Sequence, residues 1–316
     1  MLRLVCVLAM LLTIRGLEAA EAGQVKIDAP ALNALIAAPS IHVSGTVIAR
    51  TRNLGVTVND VAARLDLDHA GTKNDPFRWF AEVDSPAGRV KLKARLHFPG
   101  TAGGNEGDES NGGASTRHVQ FVRVPETVRL ETSPSSGIVP LDVTFALRMD
   151  RPGEVVRFEV DTDGNGTWDR TATSVPDDLV VRYSTPGIRL VTARVTMQDG
   201  STASAVTAIS AQSFQTMNAL LKEVWSGFRQ SLASGDVDAA LRWFAADSVR
   251  EKYRRPLTQI RSSLPAFAGG IGTIDAVWIR GDVARYLASR VENGRPTGYH
   301  VYFGRNANGL WQIVQF

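Results

Sequence analysis

The sequence predicts a multidomain chain, with two all-β sandwiches followed by an α+β unit, and three observations predict it. Apolar and polar side chains alternate over short runs from Val25 to Val124, the period-two pattern of half-buried strands, and within Glu126 to Gln212 the segments on either side of an aspartate-rich run read as strands. From Met217 the period changes. Met217, Leu220, Leu221, Val224, Phe228 and Leu232 recur at helical spacing and form one apolar stripe. After Gly269-Gly270 the alternation returns in four runs, and helices followed by an antiparallel sheet give α+β. The expected segments are 1–22, 23–125, 126–212 and 213–316, the last three each with its own core.

Residues 1–22 read as a secretory signal peptide. Arg3 supplies the positive start, Leu4 to Ile14 the short apolar core, and Ala19, Ala20 and Ala22 a peptidase site. Arg15 and Glu18 directly behind the core argue against an uncleaved anchor, so no transmembrane span is expected after cleavage. The single cysteine, Cys6, lies within this stretch, which removes disulfides and thiolate chemistry from the exported chain. Export without disulfides reads as bacterial. The net charge of +3 is dispersed, with no sustained basic stripe, so no nucleic-acid partner is expected.

In the first segment the runs Ile41 to Ile48, Val56 to Ala62, Phe77 to Val83, Gly88 to Phe98 and Arg117 to Val124 alternate as strands, with a tight turn at Asn59-Asp60. Strands of this length at this spacing imply a β-sandwich. The order "VSGTV", "VTVNDVAA", an aromatic strand and a closing strand resembles the immunoglobulin-like domains of the glucodextranase B-domain sort found on bacterial surface proteins. Residues 99–116 carry no apolar side chain larger than alanine after Pro99, so a disordered hairpin excursion is expected there; its acidic residues offer a second, cation-binding reading. Trp79 and Phe80 point to opposite faces of one strand, so only one of them is available for a glycan.

The second segment opens with Pro134-Ser135-Ser136-Gly137-Ile138-Val139-Pro140-Leu141-Asp142-Val143-Thr144-Phe145 and later carries Tyr183-Ser184-Thr185-Pro186-Gly187-Ile188-Arg189-Leu190-Val191. Between them lies Phe158-Glu159-Val160-Asp161-Thr162-Asp163-Gly164-Asn165-Gly166-Thr167-Trp168-Asp169. These three motifs, in this order, resemble the PKD-type (polycystic kidney disease) immunoglobulin-like domains, which the resemblance implies are binding or spacing modules. Val160 stands where the family places a tryptophan, and Trp168 is the side chain placed to compensate. Asp161, Asp163, Asn165 and Asp169 fall at positions 1, 3, 5 and 9 of a calcium-loop register, with glycine at position 6 but Ala172 at position 12. The spacing serves either a structural calcium ion, its shell completed by Asp177, Asp178 or Asp199, or a turn in which Asp and Asn cap backbone amides.

In the third segment Ser234-Gly235-Asp236 ends one helix and caps the next, which runs through Ala240, Leu241 and Phe244, and a third helix is expected over 249–264. Strands are expected over 273–280, 283–291, 297–305 and 310–316, with hairpin turns at Glu292-Asn293-Gly294 and Asn306-Ala307-Asn308-Gly309. This order, closed by "YHVYFGRNANGLWQIVQF", resembles the NTF2-like (nuclear transport factor 2-like) cone-shaped fold. The resemblance implies a pocket between sheet and helices, with Trp225, Tyr253, Trp278, Tyr286 and Trp311 as candidate lining and core packing as their alternative role. An isomerase or lyase there needs a positioned acid–base pair. The candidates are Asp275, Asp282, Tyr286, Tyr299, His300 and Tyr302, but alternation puts His300 and Tyr302 on the face opposite Tyr299, Val301 and Phe303.

His42, His69, His97 and His118 lack the paired spacing of a zinc site, and no nucleophile elbow, phosphate-cradling loop or dinucleotide fingerprint is present. The sequence therefore reads as a non-catalytic bacterial protein, secreted, periplasmic or on the cell surface, with spacer or adhesive modules and a C-terminal domain for a protein, peptide or glycan partner. Two other readings stay open: a small-molecule isomerase or lyase in the third segment, and a carbohydrate-binding accessory module.

Overall fold

The computed structural model describes residues 23–99, 113–150, 154–177, 179–292 and 294–316. The signal read at 1–22 and most of the excursion read at 99–116 lie outside the described residues, as does Asp178. The chain is mostly β, with several sheets and a short helical region toward its C-terminal end.

The first segment holds β1 (Gln24–Ala29), β2 (Leu35–Ala38), β3 (Ile41–Ile48), β4 (Gly55–Val58), β5 (Val61–Ala62), β6 (Arg64–Asp66), β7 (Phe77–Val83), β8 (Gly88–His97) and β9 (Ala114–Arg123). They form two sheets, β1-β3-β7-β6 and β2-β9-β8-β4-β5. Asn59 and Asp60 both adopt positive φ, 46° and 68°, the backbone that a two-residue hairpin between β4 and β5 requires. Two expectations are corrected. Ala114, Ser115 and Thr116, read as the end of the disordered excursion, are strand and pair with Arg95, Ala94 and Lys93. The absence of large apolar side chains did not prevent this, because the ladder's hydrogen bonds are made by the backbone. Trp79 and Phe80 are both buried. Trp79 belongs to the sandwich core, whereas Phe80 on the other face lies 5.6 Å from the His42 ring and opposite Arg64 on β6, so neither is available to a glycan.

The second segment holds β10 (Val128–Ser133), β11 (Ser136–Ile138), β12 (Leu141–Met149), β13 (Val155–Asp161), β14 (Arg170–Ala172), β15 (Leu179–Tyr183), β16 (Gly187–Met197) and β17 (Thr202–Gln212), in sheets β10-β12-β15 and β11-β17-β16-β13-β14. Val143, Phe145, Phe158, Val160, Val191, Val195 and Ile209 fill the space between them. Val160 is fully buried, but Trp168 does not compensate for it. Its ring is over a third exposed (37%), with the Arg194 guanidinium 4.6 Å from its centre.

The third segment holds α1 (Phe214–Ala233), α2 (Val237–Leu241), α3 (Asp247–Gln259), a 3-10 turn (Arg261–Ser263), α4 (Leu264–Gly270) and then β18 (Ile274–Arg280), β19 (Val283–Glu292), β20 (Arg295–Arg305) and β21 (Trp311–Gln315). The four strands form an antiparallel meander in chain order. The helix expected over 249–264 stops at Gln259. Pro256 sits in its last turn and has no N–H to offer, and the chain restarts as α4.

Three separate cores are expected from the sequence, but buried apolar side chains form two clusters. One is confined to the second segment; the other runs continuously through the first and third. Leu54, Leu65 and Leu67 of the first segment meet Met217 and Trp311 of the third around a small pocket of about 40 Å³, lined also by Ser136, Gly137, Ile138, Ser210 and Gln212 of the second. The helical stripe therefore serves both its own sheet and the neighbouring sandwich, which no local periodicity can reveal.

Candidate functional site

The aspartate-rich loop is built by the end of β13. Asp161 is almost wholly buried, and its carboxylate faces back into the turn. Asp161 Oδ1 accepts from the N–H of Gly164 at 2.7 Å and of Asp163 at 3.3 Å, and Oδ2 accepts from the N–H of Gly166 at 2.8 Å. Asp163 Oδ1 accepts from the N–H of Asn165 at 3.0 Å, and Asn165 Oδ1 from that of Thr167 at 2.7 Å. Asp169 Oδ2 accepts from both the N–H and the hydroxyl of Thr162, at 2.7 and 2.6 Å. Tyr183 closes the loop from β15, its hydroxyl donating to the Thr162 carbonyl at 2.7 Å.

This wrapping needs positive φ at Gly164 and Gly166, 76° and 85°. Burial pushes the Asp161 carboxyl up, but the converging N–H groups of Gly166, Gly164, Asp163 and Asn165 together hold it below the usual carboxylate range. Oxygens of Asp161, Asp163 and Asp169 lie within 4.8 Å of one another, the spacing a hard cation needs. Asp199, expected to help complete a shell, instead accepts from the N–H and hydroxyl of Ser201 in its own turn.

In the third segment the candidate pocket residues separate. Trp225 is buried between Phe228 and Phe316, ring centres 5.5 and 5.6 Å away, and its indole N–H donates to the Gly272 carbonyl at 3.0 Å. Tyr253 stacks on Phe244 at 4.5 Å and donates to the Phe316 carbonyl at 2.6 Å. Tyr286 is fully buried, its hydroxyl donating to Asn218 Oδ1 at 3.0 Å, and burial raises its phenol far above the ordinary range. Trp311 faces the pocket between segments. These four serve the shared core, while Trp278 lies on the opposite face of the sheet.

The candidate acid–base groups do not converge either. Asp275 is exposed, 3.9 Å from Lys222, and Asp282 pairs with Arg305 at 3.2 Å. His300 sits exposed on the outer face with Arg285, whose guanidinium nitrogens lie 3.2 and 2.9 Å from its ring nitrogens. Val301 and Phe303 are buried, as alternation requires, while Tyr299 remains exposed near the open end of β20.

The outer face of the β18–β21 sheet carries Asp275, Trp278, Arg280, Val283, Arg285, Leu287, His300, Tyr302 and Val314. Neither Trp278, Leu287 nor Tyr302 packs against the core. The chain itself lies along both edges of the sheet, hydrogen-bonded to β21 but not paired with β18. Ile313 of β21 exchanges backbone hydrogen bonds with Trp243 and Ala245, at 2.8 and 3.0 Å, and β11 packs beside β18.

Several structural residues escape sequence reading. Asp68 accepts from the Ser213 N–H at 2.9 Å and from the hydroxyls of Ser213 and Thr216 at 2.5 and 2.6 Å, which fixes the start of α1 to the first segment. Arg64 donates to Ser135 in the second segment, and Arg305 reaches from the third to the Ala63 carbonyl at 3.0 Å. The partners lie up to 242 positions apart, so no local motif marks them.

No family model matches the chain, and no curated protein matches it. Among solved structures, a fibronectin(III)-like module structure of Clostridium thermocellum CbhA aligns at 17% identity and a TM-score of 0.23, over 27% of this chain and 94% of that one. Dimeric latent PorU from Porphyromonas gingivalis aligns at 10% identity and a TM-score of 0.28, over 61% of this chain but only 20% of its own length.

Proposed function

We propose that this chain is an exported, non-catalytic envelope or surface protein, in which two β-sandwiches hold a C-terminal partner-binding sheet in a set orientation. In this reading the first segment is an immunoglobulin-like module, the second PKD-like and the third NTF2-like, with limits near residues 125 and 212. The observation that carries it is the outer face of the β18–β21 sheet. Its Val283 and Val314 are exposed and its Trp278, Arg285, Leu287 and Tyr302 half-buried, with none of these apolar side chains joining the core, while the interior behind it is packed with aromatic core. A catalytic reading would need an ionisable pair in that interior; of the candidate groups Tyr286 lies there, its hydroxyl on Asn218, while Asp275, Asp282 and His300 lie elsewhere.

The continuous core beneath two segments supports the spacer role, because a shared interior resists hinge motion that a polar linker would permit. No helix among the described residues is long and apolar enough to cross a membrane. A photo-crosslinking residue placed at Leu287 on the outer face should capture an envelope component, and one at Val156 on the second segment should not. Equal capture at both positions, or none at either, would overturn the reading. Recovery of the chain from the exported fraction with a new N-terminus between residues 19 and 23 tests the signal. An intact N-terminus in the cytoplasmic fraction would remove the envelope assignment.

A further inference from the structure

We propose that the outer face of the β18–β21 sheet binds a uronate-bearing polysaccharide, an inference that rests on reading this face as the partner surface. Strand register sets Trp278, Arg285, Tyr302 and Gln315 side by side in one row across the four strands. Trp278 and Tyr302 are two strands apart, about 10 Å, with Arg285 on the strand between them and its guanidinium nitrogens 3.2 and 2.9 Å from the His300 ring nitrogens. The Arg280 guanidinium lies 6.0 Å from the Trp278 ring centre, and His300 flanks Arg285 on the next row beside Leu287. Neither Arg280 nor Arg285 has a carboxylate partner among the described residues; Asp275, in the next row with Leu287 and His300, lies 3.9 Å from Lys222, and Asp282 in the β18–β19 turn pairs with Arg305.

This pattern selects its ligand. Two ring faces at a fixed interval match the apolar faces of sugar rings along an extended chain, and a carboxylate on the sugar between them takes the planar guanidinium fork in two-point contact. A neutral glycan would cover Arg285 without offering it an anion, which costs desolvation. A peptide docking on a sheet most readily adds as an edge strand, which would engage the backbone of β18 and leave this row of side chains unused. A second copy packed face to face would bring two arginine-bearing surfaces together, each with Arg280 and Arg285 against one exposed carboxylate, Asp275, so net like charge opposes that arrangement.

The test titrates the full exported chain with polygalacturonate, following tryptophan fluorescence and calorimetric heat, with a neutral cello-oligosaccharide and poly-glutamate as comparison ligands. Saturable binding to polygalacturonate is expected, weakened by salt, and reduced about tenfold by either Trp278→Ala or Arg285→Gln. Both variants should melt as the parent does, since neither side chain joins the core. Trp168→Ala, which removes the ring of the other arginine–tryptophan pair on the second segment, should leave binding intact.

Absence of saturable binding overturns the proposal, as does equal affinity for the neutral glycan. Poly-glutamate binding of equal strength that ignores Trp278→Ala would assign the face to acidic peptides instead. A dimer in sedimentation that Trp278→Ala dissolves would assign it to a second copy. If the Leu287 crosslink to the envelope persists while polygalacturonate fails, the glycan is wrong and the partner surface stands; if both fail, both readings fall.

Discussion

Asp161 shows how one buried carboxylate organises a loop. It is almost wholly shielded, yet three N–H donors within 3.3 Å stabilise its charged form. Asp161→Ala should therefore destabilise the second segment by about 1–3 kcal/mol, read from denaturant unfolding, because several buried donors lose their acceptor. The sign of the pH effect follows from the lowered carboxyl. Its contribution is fully present above the unfolded carboxylate value of about 3.9 and fades as pH falls through the lower folded value. Asp161→Asn should flatten the melting temperature between pH 2 and 5; an unchanged acid slope would count against the loop as an acid-sensitive element.

Because these carboxylates already have donors, we expect a chelator to leave the melting temperature of the chain unchanged. A rise on adding calcium would instead show that the remaining lone pairs of Asp161, Asp163 and Asp169 hold the ion. The register of this loop was legible in the sequence because the bonds its Asp and Asn side chains accept are local, within seven positions. Which of its two roles it plays was not legible, since the same oxygens serve an N–H or a cation.

At the scale of elements, strands and helices followed from periodicity wherever one face was buried. β3 keeps Ile41, Val43 and Val47 inward, and Gly45 joins them because a Cβ there would lie 1.9 Å from the Lys26 carbonyl oxygen and against the Trp79 indole. Gly45→Ala should thus cost well over 1 kcal/mol through overpacking, measurable by thermal melting of the purified variant. Periodicity failed where burial was two-sided or the ladder was polar. Phe80 is buried although it faces away from the sandwich interior, and Ala114 to Thr116 pair through their backbone alone. The start of α1 combines both lessons. Ser213 caps it locally by accepting from the Thr216 N–H at 3.1 Å, but Asp68, 145 positions earlier, holds that cap. Asp68→Ala should weaken the chain by about 1–3 kcal/mol in denaturant unfolding, while Asp68→Asn, which retains one acceptor oxygen, should lose less.

Across the whole molecule, the merged core of the first and third segments predicts how the chain comes apart. Calorimetry should show these two segments unfolding in one transition, and an excised 213–316 fragment should be expanded, with Met217 and Trp311 deprived of their cover. A fragment that melts cooperatively with the parent's midpoint would contradict the shared interior. Gly55 marks the closest approach, since a Cβ there would sit 2.0 Å from the Asn308 carbonyl oxygen. Gly55→Ala should lower the joint transition and leave the second segment's melting in place.

The sequence by itself determined the local matters: strand against helix, the two-residue hairpin at Asn59-Asp60, the helix cap at Asp236, and the spacing of the oxygen-bearing side chains from Asp161 to Asp169. Each depends on interactions a few residues apart, so spacing alone encodes it. Only the tertiary structure decided that two segments share one interior, that four of the five aromatic candidates serve that interior, and that Trp278, Arg285 and Tyr302 align in a row on the far side of the sheet. Those outcomes depend on which surfaces meet and on the offset between strands, and both are set by packing between residues distant in the chain, which no local pattern records.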